Sequence, residues 1–139
     1  MKMNHRFTRH SLALSVVLSL LGSGAFAADA KLSGDHEVPP VKTSASGTST
    51  IAVAADGAVT GSVKTTGISG MAAHIHMAST GKNGPVIIPL TKGADGVWAV
   101  PPGAKLTSEQ LKSFKSGDLY VNVHSEANKD GEIRVQLAP

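Results

Sequence analysis

The sequence predicts an all-β protein, an antiparallel sandwich or barrel of about eight strands with one short helix. Three observations carry this reading. Short runs of alternating apolar and small polar residues follow one another along the chain, such as Thr48–Ala54 and Leu119–Ser125. Gly, Pro, Asp or Asn bound each run, so that turn signals recur about every 8–12 residues. Helical spacing is confined to one segment, between Thr107 and Gly117.

Taken in order, the chain opens with Lys2, Arg6 and Arg9, then the apolar run Leu12–Leu21 and a small-residue stretch ending Ala25-Phe26-Ala27. That is the pattern of a secretory signal with an A-x-A cleavage site, so residues 1–27 are expected to be removed. The run is shorter than the roughly 20 apolar residues of a membrane helix. No cysteine follows it, so no membrane anchor is expected after signal removal. Residues 28–139 are expected to form a single domain, periplasmic or secreted.

Within that domain Lys31–His36 reads as a first strand, ended by Pro39-Pro40, which cannot donate ladder hydrogen bonds. Thr48–Ala54 places Ile51 and Val53 on one face. Asp56-Gly57 is a hairpin turn, since glycine tolerates positive φ, and Ala58–Thr66 returns with Val59, Gly61 and Val63 on one face. Ala72–Ala78, Val86–Leu90, Gly96–Val100, Leu119–Ser125 and Glu132–Leu137 complete the strands. The helix is announced by Thr107-Ser108-Glu109-Gln110, a capping box with Thr107 as N-cap and Gln110 at N3. Leu106 and Leu111 stand at the staple positions, Phe114 continues the apolar face, and Gly117 suits the stop.

Composition removes several function classes. The chain has 13 Lys plus Arg against 10 Asp plus Glu, but the three basic residues before Leu12 account for that excess. The mature chain is formally neutral, so no nucleic-acid footprint is expected. Cysteine is absent, which excludes disulfides, iron–sulfur clusters, thiolate zinc sites and a cysteine nucleophile. No Ser-His-Asp arrangement, paired-carboxylate motif or phosphate-binding glycine loop is present, and the protein is not expected to be an enzyme.

The histidines carry what chemistry remains. Residues two apart in a strand share a face, so His74 and His76 project together, opposite Ala73, Ile75 and Met77. The same parity puts Leu119, Val121 and Val123 in the core and Tyr120, Asn122 and His124 on the other face. If the two strands are neighbours, three imidazoles converge. His36 lies in the polar stretch Gly34-Asp35-His36-Glu37 and is a fourth candidate. His36, His74, His76 and His124 are therefore the expected metal ligands, with Asp35, Glu37 or Glu126 as carboxylates that ligate or orient them. Solvated strand faces also tolerate histidine, and surface acids are common without any metal. Met71 and Met77 fall on the Ile75 side, where core packing is the expected role of Met77. Glu132 and Arg134 share a strand face and are expected to form an exposed pair worth about 0–1 kcal/mol.

Three blocks resemble the chordin-type (CHRD) domain family. They are Leu32-Ser33-Gly34 to Glu37-Val38-Pro39-Pro40; His74-Ile75-His76 with Gly81-Lys82-Asn83-Gly84-Pro85-Val86; and Val121-Asn122-Val123-His124-Ser125 with Asn128 and Gly131-Glu132-Ile133-Arg134. They stand in family order and span residues 32 to 137. The resemblance implies a Greek-key, immunoglobulin-like β-sandwich, and for bacterial single-domain members a role in periplasmic metal handling, copper above all. His74, His76 and His124 occupy the motif positions. His36 departs from the pattern, which usually has Gln before Glu. The turn residues Gly81, Asn83, Gly84, Pro85, Asn128 and Gly131 are assigned to the fold.

The leading expectation is thus an exported metal-binding module with copper, or alternatively zinc, on its histidines, and a homodimer if one chain cannot complete the ligand shell. A metal-independent module recognising a protein or glycan is the first alternative. A superoxide-dismutase-like copper enzyme is the second, weakened by the missing cysteines and the scarcity of downstream histidines.

Overall fold

A computed structural model describes residues 29–139; the signal segment read at residues 1–27 lies outside the described residues. Strands β1 (Ala30–Leu32), β2 (Ser46–Ser49), β5 (Ser62–Thr66), β9 (Val97–Ala99) and β8 (Thr91–Lys92) form one antiparallel sheet in that spatial order. A second sheet runs β11 (Ile133–Leu137), β10 (Leu119–Ser125), β6 (Gly70–Met77), β7 (Val86–Pro89). The small hairpin β3 (Ala52–Val53) and β4 (Val59–Thr60) stands apart from both. The architecture is an all-β sandwich with one helix and no barrel.

The core lies between the two sheets, where the alternation of each strand places it. Leu32, Val63 and Trp98 come from one sheet, and Ala73, Ile75, Val121, Val123 and Ile133 from the other; all are buried. Packing is tight around two glycines. A Cβ at Gly47 would stand 3.3 Å from Ile133 Cδ1, and one at Gly70 would stand 3.0 Å from the Trp98 ring and 3.2 Å from Val123. Methionines follow their surroundings: Met77 packs on the core, whereas Met71 is 64% exposed. Met71 is the extra residue of a bulge, because His124 pairs with Ala72 while Ser125 pairs with Gly70.

Three expected strands are broken, each for a local reason. The first stops at Leu32, and Gly34–His36 forms a 3-10 turn instead. Gly34 O accepts from both Glu37 N and Val41 N, and a Cβ at Gly34 would collide with the Val41 carbonyl. The second and third expected strands divide at matching levels into β2 and β3, and into β4 and β5. Gly61 causes this: at φ 108° it bends away from Val59 and Val63, and a Cβ there would lie 2.4 Å from Thr50 O. The sequence pattern missed β8 altogether, since two exposed residues carry no apolar signal.

Helix α1 (Ser108–Lys115) forms as its capping box requires. Gln110 N donates to Thr107 Oγ1 at 3.2 Å, and Thr107 N donates to Gln110 Oε1 at 2.9 Å. Phe114 and Leu106 are buried, and Gly117 at φ 78° ends the helix. Among the described residues no helix is long and apolar enough to cross a membrane. Loss of one cap bond costs about 1 kcal/mol. Thr107→Ala is therefore expected to lower the urea midpoint by that amount of unfolding free energy without changing the slope, measured by circular dichroism.

Candidate metal centre

Strands β6 and β10 are antiparallel neighbours in the middle of their sheet, with His74 opposite Asn122, His76 opposite Tyr120 and Ala72 opposite His124. His74 and His76 share a face by strand parity, and the register puts His124 diagonal to His74 on the same face. The ring centroids are 4.8 Å apart for His74–His124, 5.6 Å for His74–His76 and 6.0 Å for His76–His124. One nitrogen from each of the three lies within 4.8 Å of the others. The sequence-based expectation of adjacency is met for this trio.

Backbone carbonyls set two of the three imidazoles. His76 Nδ1 lies 2.9 Å from Gly84 O and His124 Nδ1 lies 2.7 Å from Lys129 O. A carbonyl can only accept, so both Nδ1 atoms carry the proton and both Nε2 atoms present a lone pair. His76 Nε2 is buried and has no hydrogen-bond partner. His74 Nδ1 lies 3.0 Å from His124 Nε2 and donates to it. When a metal is held, that proton must leave His74 Nδ1. Two nitrogens 3.0 Å apart can bind one ion at bonds of about 2.0–2.1 Å, at an angle near 95°. Two nitrogens that share one ion at such bonds can stand at most about 4.1 Å apart, so the widest pair would have to close by about 0.7 Å.

Electrostatics favour the neutral, metal-ready rings. Burial pushes the pKa of His74 below its ordinary value, and the neighbouring His124 and His76 add to that. Burial also lowers His76, against the opposing pull of its bond to Gly84. The donor set is all imidazole, which suits copper, zinc, nickel or iron.

The other candidates lie elsewhere. His36 is exposed and its Nδ1 contacts Arg134 O at 3.1 Å, so the structure does not bring it to the trio. Asp35 and Glu126 are exposed and stand outside the group. Glu37 is 4% exposed, and it too stands outside the group. A Cβ at Gly131 would lie 2.5 Å from both Glu37 Oε1 and Asn122 Nδ2, which places those side chains together. The expected exposed Glu132–Arg134 pair does not form. Both residues are buried; Glu132 accepts from Thr43 and Ser125, and Arg134 lies over the Tyr120 ring at 3.4 Å.

A polar layer over the outer face of the sheet explains these differences. Tyr120 stacks on His76 at 4.7 Å with the rings 6° from parallel, and it receives Arg134 from the neighbouring strand β11. Arg134 donates to Asn83 Oδ1 at 3.2 Å and Gln136 Oε1 at 3.3 Å, while Gln136 donates to Ala78 O and Gly117 O. Gly84 ties the layer together: its carbonyl holds His76 and its N–H donates to the Tyr120 hydroxyl at 3.2 Å. A Cβ at Gly84 would stand 1.9 Å from Met77 O. Close approach, and not positive φ, is therefore why glycine occupies this position.

The class so defined is a β-sandwich carrying a three-histidine group on the covered outer face of its second sheet. The CHRD domain family matches residues 28–137, and the chain belongs to that family. Neither a curated protein nor a solved structure matches it.

Burial raises the Glu37 carboxyl to about 7, although Arg134 and Asn122 pull it down. Its proton is held in the folded state to higher pH than in the unfolded chain, so this stabilisation is complete below 4.5 and is lost as pH rises to about 7. The full loss corresponds to about 3 kcal/mol. His74 and His76 act oppositely, with stability present above 6.5 and lost as pH falls below it. Glu37→Gln is expected to gain stability relative to the native protein between pH 4.5 and 7.5 in denaturant titrations. A difference independent of pH would show that Glu37 does not bury a proton.

Proposed function

We propose that the protein is an exported metal-binding module that holds copper on His74, His76 and His124, with zinc as the alternative ion. One observation carries this reading. One nitrogen from each of three imidazoles lies within 4.8 Å of the others, and His76 Nε2 is buried with no protein partner. A buried lone pair without a partner costs about 1–3 kcal/mol, and a metal ion would offset that cost.

Copper is preferred because nitrogen sites bind Cu(II) more tightly than Zn(II) in the usual divalent order. Export rests on the charged, apolar and small-residue segments of residues 1–27. The role proposed is binding and handling of the ion, without turnover.

The test is calorimetric titration of chelator-stripped protein with Cu(II), Cu(I) under reducing conditions, and Zn(II). One equivalent of copper should bind saturably, and His74→Ala/His76→Ala should weaken it at least 100-fold, while His36→Ala should leave it unchanged. Binding that survives the double substitution would refute the site. Because His74 and His76 hold their protons less tightly than free histidine, uptake should persist at pH 6.5 and fall in stronger acid. Equal uptake at pH 7.5 and pH 4 would rule out histidine ligation.

A further inference from the structure

The three histidines do not by themselves complete the surroundings of a metal ion. Among the described residues the group that could hold an ion consists of His74, His76 and His124, and all three offer neutral nitrogen donors. Where a protein supplies three ligands, the remaining position goes to water or to an outside donor. The nearby acids do not fill it: Asp35 and Glu126 are exposed, Glu37 is buried, and none belongs to the group.

A cavity of about 340 Å³ lies beside the trio, large enough for a group of several heavy atoms. The buried His76 and the half-buried His124 form part of its wall and His74 does not, so it flanks the His76–His124 side of the group. Val38 and Tyr120 add apolar wall, and the exposed Lys129 and Asp130 stand towards solvent. A divalent ion on three neutral imidazoles keeps its full charge in a half-buried place, where an uncompensated charge is costly. Lys129 and Asp130 carry opposite charges and offset each other, so the wall of the cavity leaves that demand unmet. An anionic donor meets both needs, completing the ligand shell and reducing the net charge.

We propose that the metal centre takes its last ligand from outside the chain, as a small anionic donor that reaches the ion through this cavity. The inference rests on the trio holding copper, and it names the class of ligand that the loaded centre accepts. A neutral donor would complete the shell but leave the charge of the ion uncompensated. Lys129 and Asp130 tune the approach of the anion through their charges, without touching the copper.

The probe is azide, titrated at neutral pH into protein holding one equivalent of Cu(II), with visible absorption and electron paramagnetic resonance as readouts. Azide on copper gives a charge-transfer band that neither component shows alone, so its binding is read directly. A saturable band is expected, with a dissociation constant below about 10 mM. Lys129→Glu should weaken azide about threefold, and Asp130→Lys should tighten it by about the same factor, since each changes the charge at an exposed position of the wall. Copper affinity is measured by calorimetry on the same samples. Copper that binds without a saturable azide band below about 100 mM would overturn this proposal and leave the copper site standing. A band that responds to neither substitution, or to both in the same direction, would put the approach of the anion elsewhere and overturn it too. Failure of copper itself to bind would remove the copper site, and this inference with it.

Discussion

The antiparallel register between β6 and β10 is the constraint on which the rest depends. It sets His74 against Asn122 and His76 against Tyr120, and leaves His124 one diagonal step away. A slip of β6 by one residue would turn His74 and His76 towards the apolar core, away from His124, and bring Ala73 and Ile75 out. The core cannot accept that exchange, since Ala73, Ile75, Val121 and Val123 have no exposed surface at all. Hydrophobic packing on one face therefore fixes the chemistry on the other.

That second face is unusual for an antiparallel sheet, where it commonly meets water. Here β10 is buried on both sides, apolar towards the sandwich and polar towards the loops that cover it. A covered polar layer must satisfy its own hydrogen bonds. Most of it does so, through Gly84, Asn83, Gln136 and the carbonyls they reach. The exceptions are Glu37 Oε1, His76 Nε2 and Asn122 Oδ1. Of these, His76 Nε2 belongs to the histidine trio, where a bound ion would supply the missing partner.

Much of this was legible in the residues. Strand parity assigned the correct faces to His74, His76, Tyr120, Asn122 and His124, because alternation follows from backbone geometry alone. The capping box was equally readable, being a local pattern of hydrogen-bonding side chains. What parity cannot report is whether a face meets water or other protein. Arg134 and Glu132 thus read as an exposed pair, and their burial under the loops that follow Ser33 and Ala78 depends on distant chain segments. His36 read as a ligand because its own neighbours are polar, whereas its position is set by the 3-10 turn at Gly34 and its contact with Arg134 O. Gly61 and Gly84 were legible as glycines but not as close contacts, since the colliding carbonyls belong to other strands.

The histidine trio is assembled before any ion arrives, and this shapes what binding requires. The His76 and His124 rings already point their lone pairs away from the carbonyls that hold them, so little rotamer entropy remains to be lost. The opposing cost is the hydrogen bond from His74 to His124, which the ion must replace. Burial keeps the rings of His74 and His76 neutral and therefore reduces competition from protons. Tyr120 links this centre to the other buried charge. Its ring stacks on His76 and attracts the Arg134 guanidinium through the same π electrons. A cation drawn to His76 and the cation of Arg134 thus act on one aromatic ring.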